Sequence, residues 1–103
     1  MFQGRSDDAV SVAPGLHETI FEDDAVRVLR VTVPAGASAA MHWHPRNINY
    51  IITGGALRFT KPDGTVADVE LRAGQVTSSP ESSHAVENIG QTEVRTVQTE
   101  LKG

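Results

Sequence analysis

The stretch MHWHPRNINYIITGG (residues 41–55) decides the fold, because it joins two closely spaced histidines to an apolar run that ends in two glycines. Successive side chains of a β-strand point to opposite faces, so His42 and His44 share one face and Trp43 lies on the other. A metal ion bound by both imidazoles needs a further ligand, and His84, at the start of a later predicted strand, is the expected donor. The alternative is two ordinary polar histidines at an accidental spacing. The fourth histidine, His17, lies among the polar N-terminal residues and is not part of a comparable motif.

Short strand-like segments separated by turn signals continue along the chain. Residues 25–33 (AVRVLRVTV) are rich in β-branched side chains, and residues 61–64 (KPDG) form a turn in which proline presets φ and glycine supplies a positive φ. The other predicted strands are residues 40–44, 48–53, 56–60, 66–71, 75–79, 84–89 and 93–101. No segment of helical periodicity reaches a dozen residues. The pattern therefore predicts an all-β protein, either a sandwich or a closed barrel.

Length and composition predict a single small domain. The chain has 103 residues, a net charge of −4 and no cysteine. Residues 1–18 are polar and interrupted by proline and glycine, which predicts an N-terminal arm that docks on a partner subunit or moves freely, followed by a barrel over residues 19–103. Without thiolates, any metal must be held by histidine, carboxylate, amide or water.

The charge pattern limits the expected partners. The sequence lacks a cluster of lysine and arginine, which argues against nucleic acid and against an anionic membrane surface. It also lacks a signal-peptide core and any run near the ~20 apolar residues of a membrane span, so the expected location is the cytoplasm. A chain this short leaves much of its surface exposed, and we expect an oligomer, which the resemblance described below makes a homodimer.

The spacing of the first histidine motif resembles that of the cupin superfamily of small β-barrels. The cupin pattern is glycine, five residues, His-x-His, three or four residues, glutamate, six residues, glycine. In this sequence five residues separate Gly36 from His42, three separate His44 from Ile48, and six separate Ile48 from Gly55. The spacing fits, but the glutamate is replaced.

A second cupin motif is also similar. It runs glycine, five residues, Pro-x-Gly, two residues, histidine, three residues, asparagine. Gly74 and Pro80 fit, Ser82 takes the glycine position, His84 comes one residue early, and Asn88 follows it after three residues. The two motifs span about half of the chain and imply a jelly-roll, or double-stranded β-helix, barrel.

The resemblance implies a metal site with an unusual ligand set. The usual cupin site has three histidines and one glutamate around iron, manganese, nickel or zinc, and His42, His44 and His84 match the three histidines. Ile48 stands at the glutamate position when both motif intervals are kept. Other alignments place Asn47 or Asn49 there, and each offers only a weak amide ligand. On every alignment the acid is missing, as in some cupin thiol dioxygenases that hold ferrous iron with three histidines.

Loss of the acid has an electrostatic consequence. Three neutral imidazoles leave a divalent ion its full charge of +2, so its affinity should fall and anionic ligands should be attracted. The expected ligand is therefore a small anionic metabolite.

The parity set by Ile48 predicts which neighbours face the barrel interior. Tyr50 and Ile52 would then point inward, and Tyr50 is the candidate catalytic residue, a phenol that could donate a hydrogen bond to a bound ligand; the alternative is a core aromatic. Leu57 and Phe59 share a face as barrel filling. Further expectations are Gln98 as an inward polar group and Asn88 as a hydrogen-bonding residue at a strand end.

Trp43, on the outer face of the histidine strand, has two interpretations. By resemblance to dimeric cupins, a second subunit buries it together with Phe2, Phe21 or Val10; otherwise its own N-terminal arm covers it.

Two functions remain open at this stage. One is a metal-dependent cupin that acts on or senses a small anionic metabolite, as a dioxygenase or isomerase if it is an enzyme. The other is a non-catalytic binding or scaffold cupin with a weak or empty metal site. The chain also resembles a group of short cytosolic cupins associated with β-alanine degradation.

Overall fold

The computed structural model describes residues 5–103, which form nine β-strands and one short helix. The helix α1 is Ala9–Val12. The strands are β1 (His17–Glu22), β2 (Val26–Val33), β3 (Ser38–His44), β4 (Asn47–Thr53), β5 (Gly55–Thr60), β6 (Val66–Leu71), β7 (Val76–Ser79), β8 (Ser82–Asn88) and β9 (Val94–Leu101). No helix within this described part is long and apolar enough to cross a membrane.

The strands form two antiparallel sheets. The five-stranded sheet has the order β1-β2-β9-β4-β7, and the four-stranded sheet has the order β3-β8-β5-β6. All eight strands predicted from the sequence are present with small shifts of their ends, so the all-β prediction is confirmed. The additional strand is β1, which extends the five-stranded sheet by pairing with β2.

The two ends of the barrel differ in chemistry. Val33 pairs with Val94 at one end of the β2–β9 ladder, and both side chains belong to the apolar core. Arg27 pairs with Glu100 at the other end of the same ladder, and both are buried. The barrel therefore packs an apolar core at one end and encloses polar side chains at the other.

The face that β4 presents to the interior differs from the prediction. Asn47 lies opposite Glu100 and Asn49 opposite Gln98 on β9, and these side chains turn inward. Since side chains alternate along a strand, Tyr50 lies on the outer surface, where it is 48% exposed. The expectation that Ile48, Tyr50 and Ile52 face the interior is wrong. It followed from the alignment that places Ile48 at the glutamate position. In the structure the parity is shifted by one residue, so that Asn47, Asn49 and Ile51 face the interior.

The N-terminal segment, residues 5–16, packs on the barrel. The backbone N–H of Trp43 donates to the carbonyl of Asp7 at 2.6 Å, and the guanidinium of Arg5 lies 4.0 Å from the ring centroid. The indole Nε1 donates to Glu81 at 2.9 Å, and Trp43 is buried. Trp43 is thus covered by its own chain, the second of its two interpretations.

The other residues named with Trp43 lie in varied positions. Phe21 is 53% exposed on β1, Val10 is half-buried in α1, and Phe2 lies outside the described residues. The predicted boundary at residue 18 stays a prediction; in the fold, β1 begins at His17.

Candidate metal centre

The four histidines of the chain meet at the polar end of the barrel. His42 and His44 project from the same face of β3, and their ring centroids are 4.8 Å apart. His84 lies opposite His42 in the β3–β8 ladder, with its ring centroid 4.9 Å from that of His42. His17, the first residue of β1, lies 5.1 Å from the ring of His42. The three residues expected from the motifs are therefore together, and a fourth imidazole joins them.

The sequence patterns did not identify His17. One nitrogen from each of His17, His42 and His44 lies within 4.8 Å of the others. His17 precedes the first cupin motif and has no spacing partner, so no motif marks it. Its only signal is that it opens a strand-like segment, HETIFE, two residues after the Pro14-Gly15 pair.

Hydrogen bonds hold three of the rings in one tautomer. Nδ1 of His17 lies 3.0 Å from the carbonyl oxygen of Ala13, and Nδ1 of His42 lies 2.7 Å from the carbonyl oxygen of Ala40. Nδ1 of His44 lies 2.8 Å from Oε2 of Glu100. Carbonyl and carboxylate oxygens can only accept, so each Nδ1 carries the proton. The lone pair of each Nε2 is left available to a metal ion.

The imidazoles are neutral at physiological pH. Burial lowers the pKa of His44 and of His84 to about 3 and that of His17 to about 4. Burial also lowers the pKa of His42. Metal ions bind the neutral form of histidine, so this cluster needs to lose no proton when it takes up an ion near pH 7.

One nitrogen of the cluster lacks a hydrogen-bond partner. Nε2 of His42 is the only buried side-chain nitrogen or oxygen without one among residues 5–103. An unsatisfied buried polar atom costs roughly 1–3 kcal/mol. A metal ion would use this lone pair, so the residues present fit a metal ion.

A carboxylate lies behind the histidines. Glu100, on β9, is fully buried; its Oε2 accepts from His44, and its Oε1 accepts from Nε of Arg27 at 2.7 Å. Arg27 also binds Asp8 through two hydrogen bonds, of 3.0 and 2.8 Å. Burial raises the pKa of Glu100, and the neighbouring Arg27 opposes that change. The sequence analysis missed Glu100, although it shares the inward face of β9 with Gln98.

The histidines open into a cavity of about 560 Å³ between the two sheets. β4, β7 and β9 contribute the polar side chains Asn47, Asn49, Thr77, Ser79 and Gln98, together with the apolar Ile51 and Val94. β5, β6 and β8 contribute the apolar side chains Leu57, Phe59, Val69, Leu71 and Val86, together with the polar Ser82, Ser83 and His84. Within residues 5–103, no carboxylate lines the cavity, and Lys61 is its only lysine or arginine.

The structure places the remaining candidates as follows. Ile48 and Tyr50 do not line the cavity, whereas Asn47 and Asn49, the alternatives at the glutamate position, do. Nδ2 of Asn49 donates to Oδ1 of Asn47 at 2.8 Å, which leaves Oδ1 of Asn49 as the freer amide acceptor. Asn88 donates to the carbonyls of Val33 and Thr92, as expected of a hydrogen-bonding residue at a strand end.

Comparison with known proteins identifies the kind of barrel. The cupin domain family model matches residues 29–99. No curated protein matches the sequence. Among solved structures, a cupin domain from Bordetella pertussis Tohama I is 26% identical with a TM-score of 0.78, over 84% of this chain and 92% of that one.

Two further structures are similar. A conserved protein with a double-stranded β-helix domain from Klebsiella pneumoniae is 22% identical, with a TM-score of 0.67, over 84% of this chain and 76% of that one. A predicted oxalate decarboxylase from Thermotoga maritima is 28% identical, with a TM-score of 0.55, over 76% of this chain and 67% of that one.

Proposed function

This chain belongs to the cupin family, and from that premise we propose that it binds a divalent metal ion through His42, His44 and His84, with His17 as a fourth nitrogen ligand. The buried, unpartnered Nε2 of His42, set among neutral imidazoles, is the observation that carries the proposal. The ligand set contains only nitrogen, which suits iron, zinc or nickel better than manganese, an ion that prefers oxygen ligands.

The ligand we propose is a small anionic metabolite, such as a carboxylate. An ion held only by neutral imidazoles keeps its charge of +2, and no carboxylate lines the described cavity. The formal net charge of −1 on Asp8, Glu100 and Arg27 behind His44 would leave the loaded centre positive. Lys61 adds a cation to the wall. The similar Thermotoga maritima protein is a predicted oxalate decarboxylase, which is consistent with a small carboxylate ligand here.

The residues of the cavity would orient such a ligand. A bound divalent ion supplies Lewis acidity toward a coordinated oxyanion. Asn49 and Gln98 offer amide groups from the five-stranded sheet, while Leu57 and Phe59 of the four-stranded sheet exclude water. If the protein is an enzyme, a dioxygenase or isomerase fits this arrangement.

A non-catalytic binding cupin is the second candidate, favoured by one observation. Apart from the histidines and Lys61, no titratable side chain lines the cavity within residues 5–103. General acid–base catalysis needs such a group within hydrogen-bonding reach of the substrate. Turnover of a small carboxylate by the metal-loaded protein would decide for an enzyme, whereas binding without turnover would favour the binding module.

Elemental analysis of protein purified without a histidine tag tests the metal proposal. We expect near-stoichiometric metal in the wild type and loss of it in His84→Ala. Tyr50→Ala, on the outer surface, is the matched control and should keep its metal. Absence of metal from the wild type after reloading would remove the metal-dependent function and leave the binding module.

We further propose that the protein is a homodimer joined through the outer face of the five-stranded sheet. Ile48, Tyr50 and Ile52 on β4 and Val76 on β7 expose neighbouring apolar side chains there, and Val76 is 63% exposed. Light scattering should find a dimer that Tyr50→Glu dissociates and that Val66→Glu, on the other sheet, does not. A wild-type monomer at high concentration contradicts this proposal.

The cytoplasmic location and the link to β-alanine degradation stay predictions of the sequence analysis.

A further inference from the structure

We infer that Glu100 is a positioning residue of the metal centre, which holds His44 in its ligating tautomer from behind and is itself held by Arg27 and the N-terminal segment. This inference rests on the proposed metal site. The usual cupin site has a glutamate that binds the ion. Here the carboxylate comes from Glu100 on β9 and contacts His44, which binds the ion, rather than the ion itself.

Both oxygens of Glu100 have assigned partners. Oε2 lies 2.8 Å from Nδ1 of His44, and Oε1 accepts from Nε of Arg27 at 2.7 Å. A carboxylate that accepts the Nδ1 proton of a metal-binding imidazole fixes the ring orientation and makes the opposite nitrogen a stronger donor. Glu100 therefore acts on the ion only through His44.

Among residues 5–103, the formal charges buried beside the histidines do not balance. Asp8 and Glu100 carry two formal negative charges and Arg27 one positive charge, and all three side chains are at least 94% buried. Uncompensated charge in a protein interior is costly unless a counter-charge lies nearby. The neutral histidines provide no counter-charge, whereas a divalent cation on the far side of His44 would. This imbalance supports the cation on which the inference rests, independently of the tautomer.

The N-terminal segment contributes to the centre by two routes. Asp8 orients Arg27 through two hydrogen bonds, and the carbonyl of Ala13 accepts from Nδ1 of His17. The side chain of Asp8 also caps helix α1 by accepting from the backbone N–H of Val10 at 3.2 Å. Residues 8–17 thus supply one ligand directly and support another through Arg27 and Glu100.

The test compares Glu100→Gln with the wild type in two measurements. The first is the Kd for Zn²⁺ by chelator competition, together with the visible spectrum of the Co²⁺-loaded protein, which reports ligand geometry. We expect the Kd to rise about 10–100-fold and the Co²⁺ spectrum to shift. Asp8→Asn, one step further away, should weaken binding less.

Asn88→Ala is the matched control for a purely structural effect. It also removes a buried hydrogen-bonding side chain, but it lies at the apolar end of the barrel and should leave the Kd and spectrum as in the wild type. Equal weakening in Glu100→Gln and Asn88→Ala would overturn the inference, as would a Glu100→Gln protein that matches the wild type in both readouts.

The second measurement is the tautomer of His44 by ¹⁵N NMR in the metal-free protein. We expect Nδ1–H in the wild type and loss of that preference in Glu100→Gln. Nε2–H in the wild type would overturn the inference even if Glu100→Gln fails to fold. If the wild type binds no metal but shows the expected tautomer, the proposed function fails while Glu100 still positions His44.

Discussion

Lowering the pH should destabilise the metal-free protein well above the range in which carboxylates titrate. Burial lowers the pKa of His17 from 6.5 to about 4, and it lowers those of His44 and His84 to about 3. The unfolded chain takes up a proton at each of these residues near pH 6.5, whereas the folded chain does not. The unfolded state therefore binds more protons between about pH 6.5 and the folded values, and stability falls as the pH falls through this window.

The magnitude follows from the difference in proton binding. A histidine that titrates at 6.5 when unfolded and at 4 or below when folded contributes about 1.3 kcal/mol of lost stability between pH 7.5 and pH 5.5. Three such residues give about 4 kcal/mol, a large share of the roughly 5–15 kcal/mol by which domains are stable. His42 acts in the same direction. Glu100 acts in the opposite direction, since its pKa is raised, and offsets part of the loss.

Urea denaturation in the presence of a chelator, at pH 7.5, 6.5 and 5.5, measures this loss. His84→Gln removes one titrating group, so its pH-dependent loss should be smaller than that of the wild type by about 1.3 kcal/mol. Stability that is flat or rises toward pH 5.5 would refute the reasoning, as would an unchanged loss in His84→Gln. Added Zn²⁺ should reduce the effect near neutral pH, because it binds the folded, neutral cluster.

The remaining predictions concern single substitutions. His17→Ala should weaken Zn²⁺ binding without abolishing it, and His42→Ala should abolish it; equal retention of metal in both variants by elemental analysis would contradict the ligand assignment. Asn49→Glu should lower the Kd for Zn²⁺ by about tenfold or more, because it returns a carboxylate to the cavity wall; an unchanged or higher Kd in a competition titration would argue against this. Gly54→Ala should strongly lower the thermal unfolding temperature, since a Cβ there would overlap the backbone carbonyl of Leu71. Gly15→Ala, with nothing within 4 Å of the added Cβ, should match the wild type. Wild-type stability of Gly54→Ala would contradict the close approach of Gly54 to Leu71.

The sequence predicted the fold and three of the clustered histidines for an identifiable reason. Strand periodicity places His42 and His44 on one face, and the spacing of two turn-bounded motifs brings His84 to them. Alternation and turn residues are visible in one sequence, whereas the cupin barrel that unites the two motifs was implied by their resemblance to the cupin pattern.

Other features of the site depend on tertiary context. The inward face of β4 was assigned by placing Ile48 at the glutamate position, but Asn47 and Asn49 line the cavity instead. Only the pairing of β4 with β9 fixes that choice. His17 and Glu100 lie near opposite ends of the chain, so only the completed sheet order brings them to the same end of the barrel.

The distribution of the four histidines between the sheets has a mechanical consequence. His17 belongs to the five-stranded sheet, while His42, His44 and His84 belong to the four-stranded sheet. An ion bound by all four would be a reversible cross-link between the two sheets in a chain that has no cysteine for a disulfide. Separation of the sheets would then require release of the ion, so metal availability would set how often the barrel opens at this end.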